Sequence, residues 1–104
     1  MAAEVESVVV TSDPTYSVTK NIGSYHIQSW QFDYTNGSGV TASIQYSNTG
    51  TAWVTDTTTS IALGSSGSVL FNPQVNGAAY SRMKFAGATG CIGTLTLNHK
   101  SRGH

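Results

Sequence analysis

The chain has 104 residues, a formal net charge of zero and only 10% charged side chains, against about 25% in an average soluble domain. That length holds one domain with one core and no need of disulfides or metal. The composition excludes a coiled coil and a charged disordered tail, and the balanced charge gives no footprint for nucleic acid.

Ser, Thr, Gly and Asn take the place of the missing charges, which suits a β protein rich in turns. Cys91 is the only cysteine, so no intrachain disulfide forms. The opening Met-Ala-Ala-Glu carries no basic and apolar secretory pattern, and no apolar run approaches the ~20 residues of a membrane helix. The expectation is a protein made and kept in a cytosol, unless it leaves by lysis or a dedicated route.

Taken in order, Glu4 to Thr11 is a strand candidate with Val8, Val9 and Val10 as its β-branched run, stopped at Asp13-Pro14. Tyr16 and Val18 mark a weaker strand, and Asn21-Ile22-Gly23 a turn. Residues 1–22 read either as the first strands of the domain or as an extended arm, ahead of a β-sandwich over 23–104. From Ser24 to Tyr34, Trp30, Phe32 and Tyr34 share one parity while Gln31 and Asp33 take the other. After Asn36-Gly37, Val40, Ala42, Ile44 and Tyr46 oppose Thr41, Ser43 and Gln45. Successive strand side chains point to opposite faces, so both are half-buried strands. The Asn-Gly step, able to take positive φ, predicts a tight hairpin between them.

Ser47-Asn48-Thr49-Gly50 is the next turn and Trp53 follows it; Thr55 to Ser60 is polar, and Ile61 with Leu63 marks a short strand. Val69 with Phe71 marks another, ended at Asn72-Pro73, and Asn76-Gly77 is a further turn. Ser81, Met83 and Phe85 alternate with Tyr80, Arg82 and Lys84; a Gly87–Gly90 turn leads to a last strand from Ile92 to about Lys100. No segment holds a helical period. Six firm strands and one or two weaker ones predict an all-β, antiparallel β-sandwich, jelly-roll-like, of 6–8 short strands. Trp30, Phe32, Ile44, Trp53, Val69, Phe85, Leu95 and Leu97 are its expected core.

The residues that could carry chemistry do not converge. His26, His99 and His104 have no metal-ligand spacing. Asp13 and Asp56 lie in turn-like polar stretches where Asp bonds its own backbone, which leaves Asp33 the only acid within a strong strand. Cys91 reads as a small packed side chain. Asn36-Gly37-Ser38 matches a glycosylation sequon but reads as a turn. No catalytic residue, metal site or cofactor is expected, and the chain is read as non-enzymatic. Tyr16, Tyr25, Tyr46 and Tyr80 cannot all be core, and surface tyrosines serve sugar platforms and protein interfaces alike.

Two segments carry a resemblance. One is Ile44-Gln-Tyr-Ser-Asn-Thr-Gly-Thr-Ala-Trp53; the other is Tyr80-Ser-Arg-Met-Lys-Phe85 with Gly87-Ala-Thr-Gly90 and Gly93-Thr-Leu-Thr-Leu97. Together they resemble small β-sandwich structural proteins of tailed bacteriophage virions, such as capsid decoration (cement) proteins and related head or tail accessory proteins, over roughly Ser24 to Lys100. The resemblance implies a virion component that binds a major capsid or other virion protein, stabilises the shell and oligomerises. No functional residue is carried over from it. The competing expectation is a carbohydrate-binding module or phage adhesin using Trp30 or Trp53 with tyrosines. Tryptophans buried in the core favour the structural reading; coplanar exposed ones favour sugar.

Charge is uneven along the chain. Glu4, Glu6, Asp13, Asp33 and Asp56 against Lys20 leave residues 1–56 at −4, and Arg82, Lys84, Lys100 and Arg102 bring residues 57–104 to +4. The candidate interface is therefore Glu4, Glu6 and Tyr16 of the N-terminal segment with Lys100 and Arg102 of the tail. The expected assembly is a homo-oligomeric ring, a trimer, on a shell of other proteins, without nucleic acid or membrane.

Overall fold

The computed structural model describes residues 2–22, 25–73 and 78–101, with side chains at all of these but 2, 25–27 and 101. Its nine strands are β1 (Ala2–Val9), β2 (Thr15–Tyr16), β3 (Lys20–Asn21), β4 (Tyr25–Thr35), β5 (Val40–Ser47), β6 (Val54–Ala62), β7 (Ser66–Phe71), β8 (Tyr80–Gly87) and β9 (Ile92–Ser101). There is no helix among the described residues. One sheet runs β1-β9-β4-β7; the other runs β2-β8-β5-β6, with β3 also on β8. All pairings are antiparallel, and the two sheets pack as an all-β sandwich.

The core is built by the two parities read from the sequence. Trp30, Phe32 and Tyr34 of β4, Leu95 and Leu97 of β9, Val8 and Phe71 line the first sheet; Val40, Ala42 and Ile44 of β5 and Met83 and Phe85 of β8 line the second. Phe32 and Phe85 meet with ring centroids 4.8 Å apart at 45°, a favoured tilted geometry. Each such ring, fully buried, stabilises by about 1.5–3 kcal/mol. Trp30 is 0% exposed, and its indole N–H donates to Gln28 Oε1 at 3.1 Å, so the burial leaves no orphan donor. Cys91 is buried too, and burial pushes its thiol pKa up.

Two expectations need correction. β4 and β5 do not form a hairpin: β4 pairs with β7 and β9, and β5 with β6 and β8. The Asn36-Gly37 step turns the chain from one sheet to the other. Asn36 takes φ 57° as expected, but a Cβ on Gly37 would lie 2.6 Å from the Tyr34 ring and 2.7 Å from the Gly64 carbonyl oxygen. That close approach packs the corner against the β6–β7 connection, where the Gly64 N–H donates to Tyr34 Oη at 3.0 Å. The real hairpin is β5–β6. Trp53 is the second correction: it is half-buried and outside the core. Val69, also expected in the core, is partly buried against it.

β6 is longer than the polar stretch suggested. It is an edge strand with an irregularity, since Ala42 pairs with Ile61 while Ile44 pairs with Asp56. Asp56 organises the extra residues: its Oδ1 accepts from the Thr58 N–H and hydroxyl at 3.1 and 2.5 Å. Thr59 Oγ1 donates to the Asp56 carbonyl at 2.7 Å and accepts from Ile44 N–H at 2.8 Å. Hydroxyls here replace ladder partners, which is why the stretch looks like a loop in sequence. The Asn76-Gly77 turn lies outside the described residues.

Candidate protein-binding face

The outward parity of the second sheet carries Tyr80, Arg82 and Lys84 on β8 and Thr41, Ser43, Gln45 and Ser47 on β5. Arg82 stands opposite Gln45, and Gln45 opposite Thr55. The three are hydrogen-bonded in a row: Arg82 Nε–H donates to Gln45 Oε1 at 2.9 Å, and Gln45 Nε2 to Thr55 Oγ1 at 3.1 Å. Tyr16, placed outward by the β2 pairing with Lys84, puts its ring 3.7 Å from the Arg82 guanidinium carbon. Trp53, next to β6, does the same at 4.1 Å. A guanidinium within about 6 Å of a ring centroid is attracted by the ring quadrupole; here two rings hold it.

Ser43, Gln45 and Ser47 are buried although they face outward. Gln45 is held between Arg82 and Thr55, and Ser47 sits under its own turn, accepting from the Thr49 and Gly50 N–H groups at 3.1 and 2.8 Å. The guanidinium is partly desolvated, which lowers its pKa, with Tyr16 acting in the opposite sense. Among the described residues it makes no ion pair. Tyr16 is 42% exposed. The result is a patch of Tyr, Arg and Trp with a cation at its centre that no carboxylate among the described residues compensates.

The five residues expected at an interface fall into different places. Glu4 and Glu6 meet Lys20 of their own chain, with N–O distances of 3.6 and 3.8 Å. Glu4 also meets His99 at 3.1 Å, and Glu6 accepts from the Val18 N–H at 2.9 Å. β1 runs antiparallel to β9 from Ala2↔His99 to Val9↔Ile92, so these acids tie the edge of the first sheet to β3 of the second. Lys100 is exposed on β9. Arg102 lies outside the described residues. Of the five, only Tyr16 belongs to the aromatic patch. Sequence reading missed Arg82 and Gln45 as its other members, and had Trp53 on a surface only in the carbohydrate-binding alternative. The available signal was that Arg82 shares parity with Tyr80 and Lys84, away from Met83 and Phe85.

A cleft of about 500 Å³ opens between the edge strands β6 and β7, lined by Asp56, Thr59, Ile61, Leu70 and Phe71 among others. The Asp56 carboxylate is committed to the fold there, since its second oxygen accepts from the Tyr46 hydroxyl at 3.2 Å. Burial first, then the Asp56 charge, raises the Tyr46 pKa well above its ordinary value. Asp33 faces outward from the first sheet, accepting from the Ser68 hydroxyl and from Gln31 Nε2 at 3.0 and 3.2 Å. The Ser68 and Gln31 bonds lower its pKa.

No family model matches the chain, and no curated protein matches it. Solved structures do share its fold. The crystal structure of PirA aligns with a TM-score of 0.59 and 13% identity over 94% of this chain and 93% of that one. The SPBc2 prophage-derived protein YomS aligns at 0.56 and 12% over 96% of each. The structure of infectious bursal disease virus Gx strain aligns at 0.43 and 11%, covering this whole chain and 34% of that one. At these identities the likeness to PirA and to the prophage-derived YomS is one of fold alone.

Proposed function

We propose that the chain is a structural virion protein, a capsid decoration protein, that acts by binding protein and not by catalysis. The observation that carries this is the Tyr16–Arg82–Trp53 stack. Tyr, Trp and Arg are the residue types that dominate binding energy at protein interfaces. Here they are held in one geometry before any partner arrives, which lowers the ordering cost of association. The strand orders β1-β9-β4-β7 and β2-β8-β5-β6 support a jelly-roll wrapping, an architecture of capsid and lectin domains. The likeness in fold to a prophage-derived protein supports a phage setting.

The test is incorporation into particles. Density-gradient particles from the source of the gene should contain the parent chain at fixed stoichiometry. Trp53→Ala and Arg82→Ala should each reduce occupancy by at least tenfold while the free protein stays folded. A parent chain absent from particles would refute the proposal.

A second reading, glycan binding, is favoured by one observation: Trp53 and Tyr16 lie on the outer face, not in the core. Each ring, however, already gives one face to Arg82. A pyranose would have to stack on the other. Binding on a glycan array, abolished by Trp53→Ala, would choose this reading.

A further inference from the structure

The outer face of the other sheet is the complement of the aromatic patch. Register across β1, β9, β4 and β7 places Val5, Thr96, Gln31 and Leu70 in one row and Ser7, Thr94, Asp33 and Ser68 in the next. Val9, Ile92, Thr35 and Ser66 form a third. This face is almost uncharged. Val5, Val9, Leu70 and Ile92 are exposed around its margin, and Asp33 is the carboxylate within these rows. Lys100, on the same parity of β9, stands six residues beyond Thr94, about 20 Å away at ~3.3 Å per residue.

The outer face of the second sheet is cationic. Arg82 and Lys84 share its outward parity. Nearby Asp13 accepts from the Gly87 N–H, and Glu4 and Glu6 are engaged with Lys20. Stacking two copies through like faces would bring two Asp33 carboxylates, or two pairs of Arg82 and Lys84, into one interface with no opposite charge supplied by the partner face, and like charges across an interface are penalised. Stacking unlike faces sets a guanidinium, oriented by Gln45 through Nε, against a carboxylate that Gln31 and Ser68 orient. Guanidinium and carboxylate match in planar, bidentate geometry.

We propose that copies of this chain associate head to tail, the Tyr16–Arg82–Trp53 face of one against the β1-β9-β4-β7 outer face of the next, with Arg82 paired to Asp33 of that next copy. The proposal rests on reading the stack as a protein contact and names a second copy as what it contacts. Tyr16 and Trp53 then pack on the exposed aliphatics that flank Asp33. A face four strands wide and about seven residues long covers roughly 450 Å² per copy, about half of a standard interface and in the range of weak, transient contacts. Association is therefore weak in dilute solution and is strengthened when copies are held side by side. A head-to-tail contact uses two different surfaces, so it generates a ring where the rotation closes and a filament where it does not.

Sedimentation velocity over a concentration series tests this with the protein alone. The parent should self-associate. Arg82→Glu and Asp33→Arg should each weaken association at least tenfold, because each sets like charges together. An equimolar mixture of the two single variants should recover it, since both unlike contacts then pair opposite charges. Misfolding of a variant cannot produce that recovery, and the double variant Arg82→Glu/Asp33→Arg provides a second route to the same pair. A parent that stays monomeric throughout, single variants that associate as the parent does, or a mixture that fails to recover would each overturn the proposal. Loss of particle binding with self-association intact would instead count against the virion reading and leave the head-to-tail contact standing.

Discussion

The guanidinium carbon of Arg82 sits 4.1 Å from the centroid of the Trp53 ring, on the outside of the second sheet. Trp53 therefore contributes to a surface and Trp30 to the core. Trp30→Ala should cost about 3–5 kcal/mol, the range for emptying a buried aromatic site. Trp53→Ala should cost about 1–2 kcal/mol, from one cation–π contact and partial burial. Urea denaturation of both variants checks this; equal losses would return Trp53 to the core.

The turn after β8 depends on backbone geometry. Gly87 takes φ 106°, and a Cβ there would lie 2.1 Å from the Gly39 carbonyl oxygen. Gly90 takes φ 99° with nothing within 4 Å of a Cβ. Gly90→Ala should thus cost about 1–2 kcal/mol from conformation alone. Gly87→Ala should cost at least about 3 kcal/mol, because the β8–β5 pairing must also shift. Thermal melts of the two variants would contradict this by showing the same loss.

The Tyr46–Asp56 pair predicts an alkaline signature. A group whose acid form is favoured by the fold keeps its proton after the unfolded chain has released it. The stability it contributes is fully present below the ordinary tyrosine value of 10.0, and is lost as pH rises from there toward the folded value. Tyr46→Phe should cost about 1 kcal/mol at neutral pH through the lost hydrogen bond. It should also flatten the fall in stability above pH 10 relative to the parent. An unchanged slope would show that Tyr46 does not titrate differently in the two states.

Much of the fold was legible because its strands alternate cleanly. Trp30, Phe32, Ile44, Phe85, Leu95 and Leu97 were placed in the core by parity alone, and all are buried. The Asn36-Gly37 turn was misread because turn chemistry specifies a reversal and says nothing of which sheet the chain enters next. Here the choice is set by Gly37 packing on Tyr34 and the Gly64 carbonyl, a contact about 27 residues distant in sequence. β6 was half-hidden because Asp56, Thr58 and Thr59 satisfy its irregular backbone with side chains. The functional patch was the least legible part. Tyr16, Trp53 and Arg82 come from three separated segments, and only the β2–β8 and β8–β5–β6 registers bring them together.

Hydroxyl-radical footprinting of the chain, free and in its native assembly, tests most directly whether this protein works through the Tyr16–Arg82–Trp53 face. Tyr16 is 42% exposed and Trp53 half-buried in the single chain, so both should be oxidised in the free protein. Burial against a partner should suppress both together in the assembly, with buried Trp30 unreactive in each state. If Tyr16 and Trp53 remain as reactive in the assembly as in the free chain, the contact lies elsewhere and the assignment of this face is wrong.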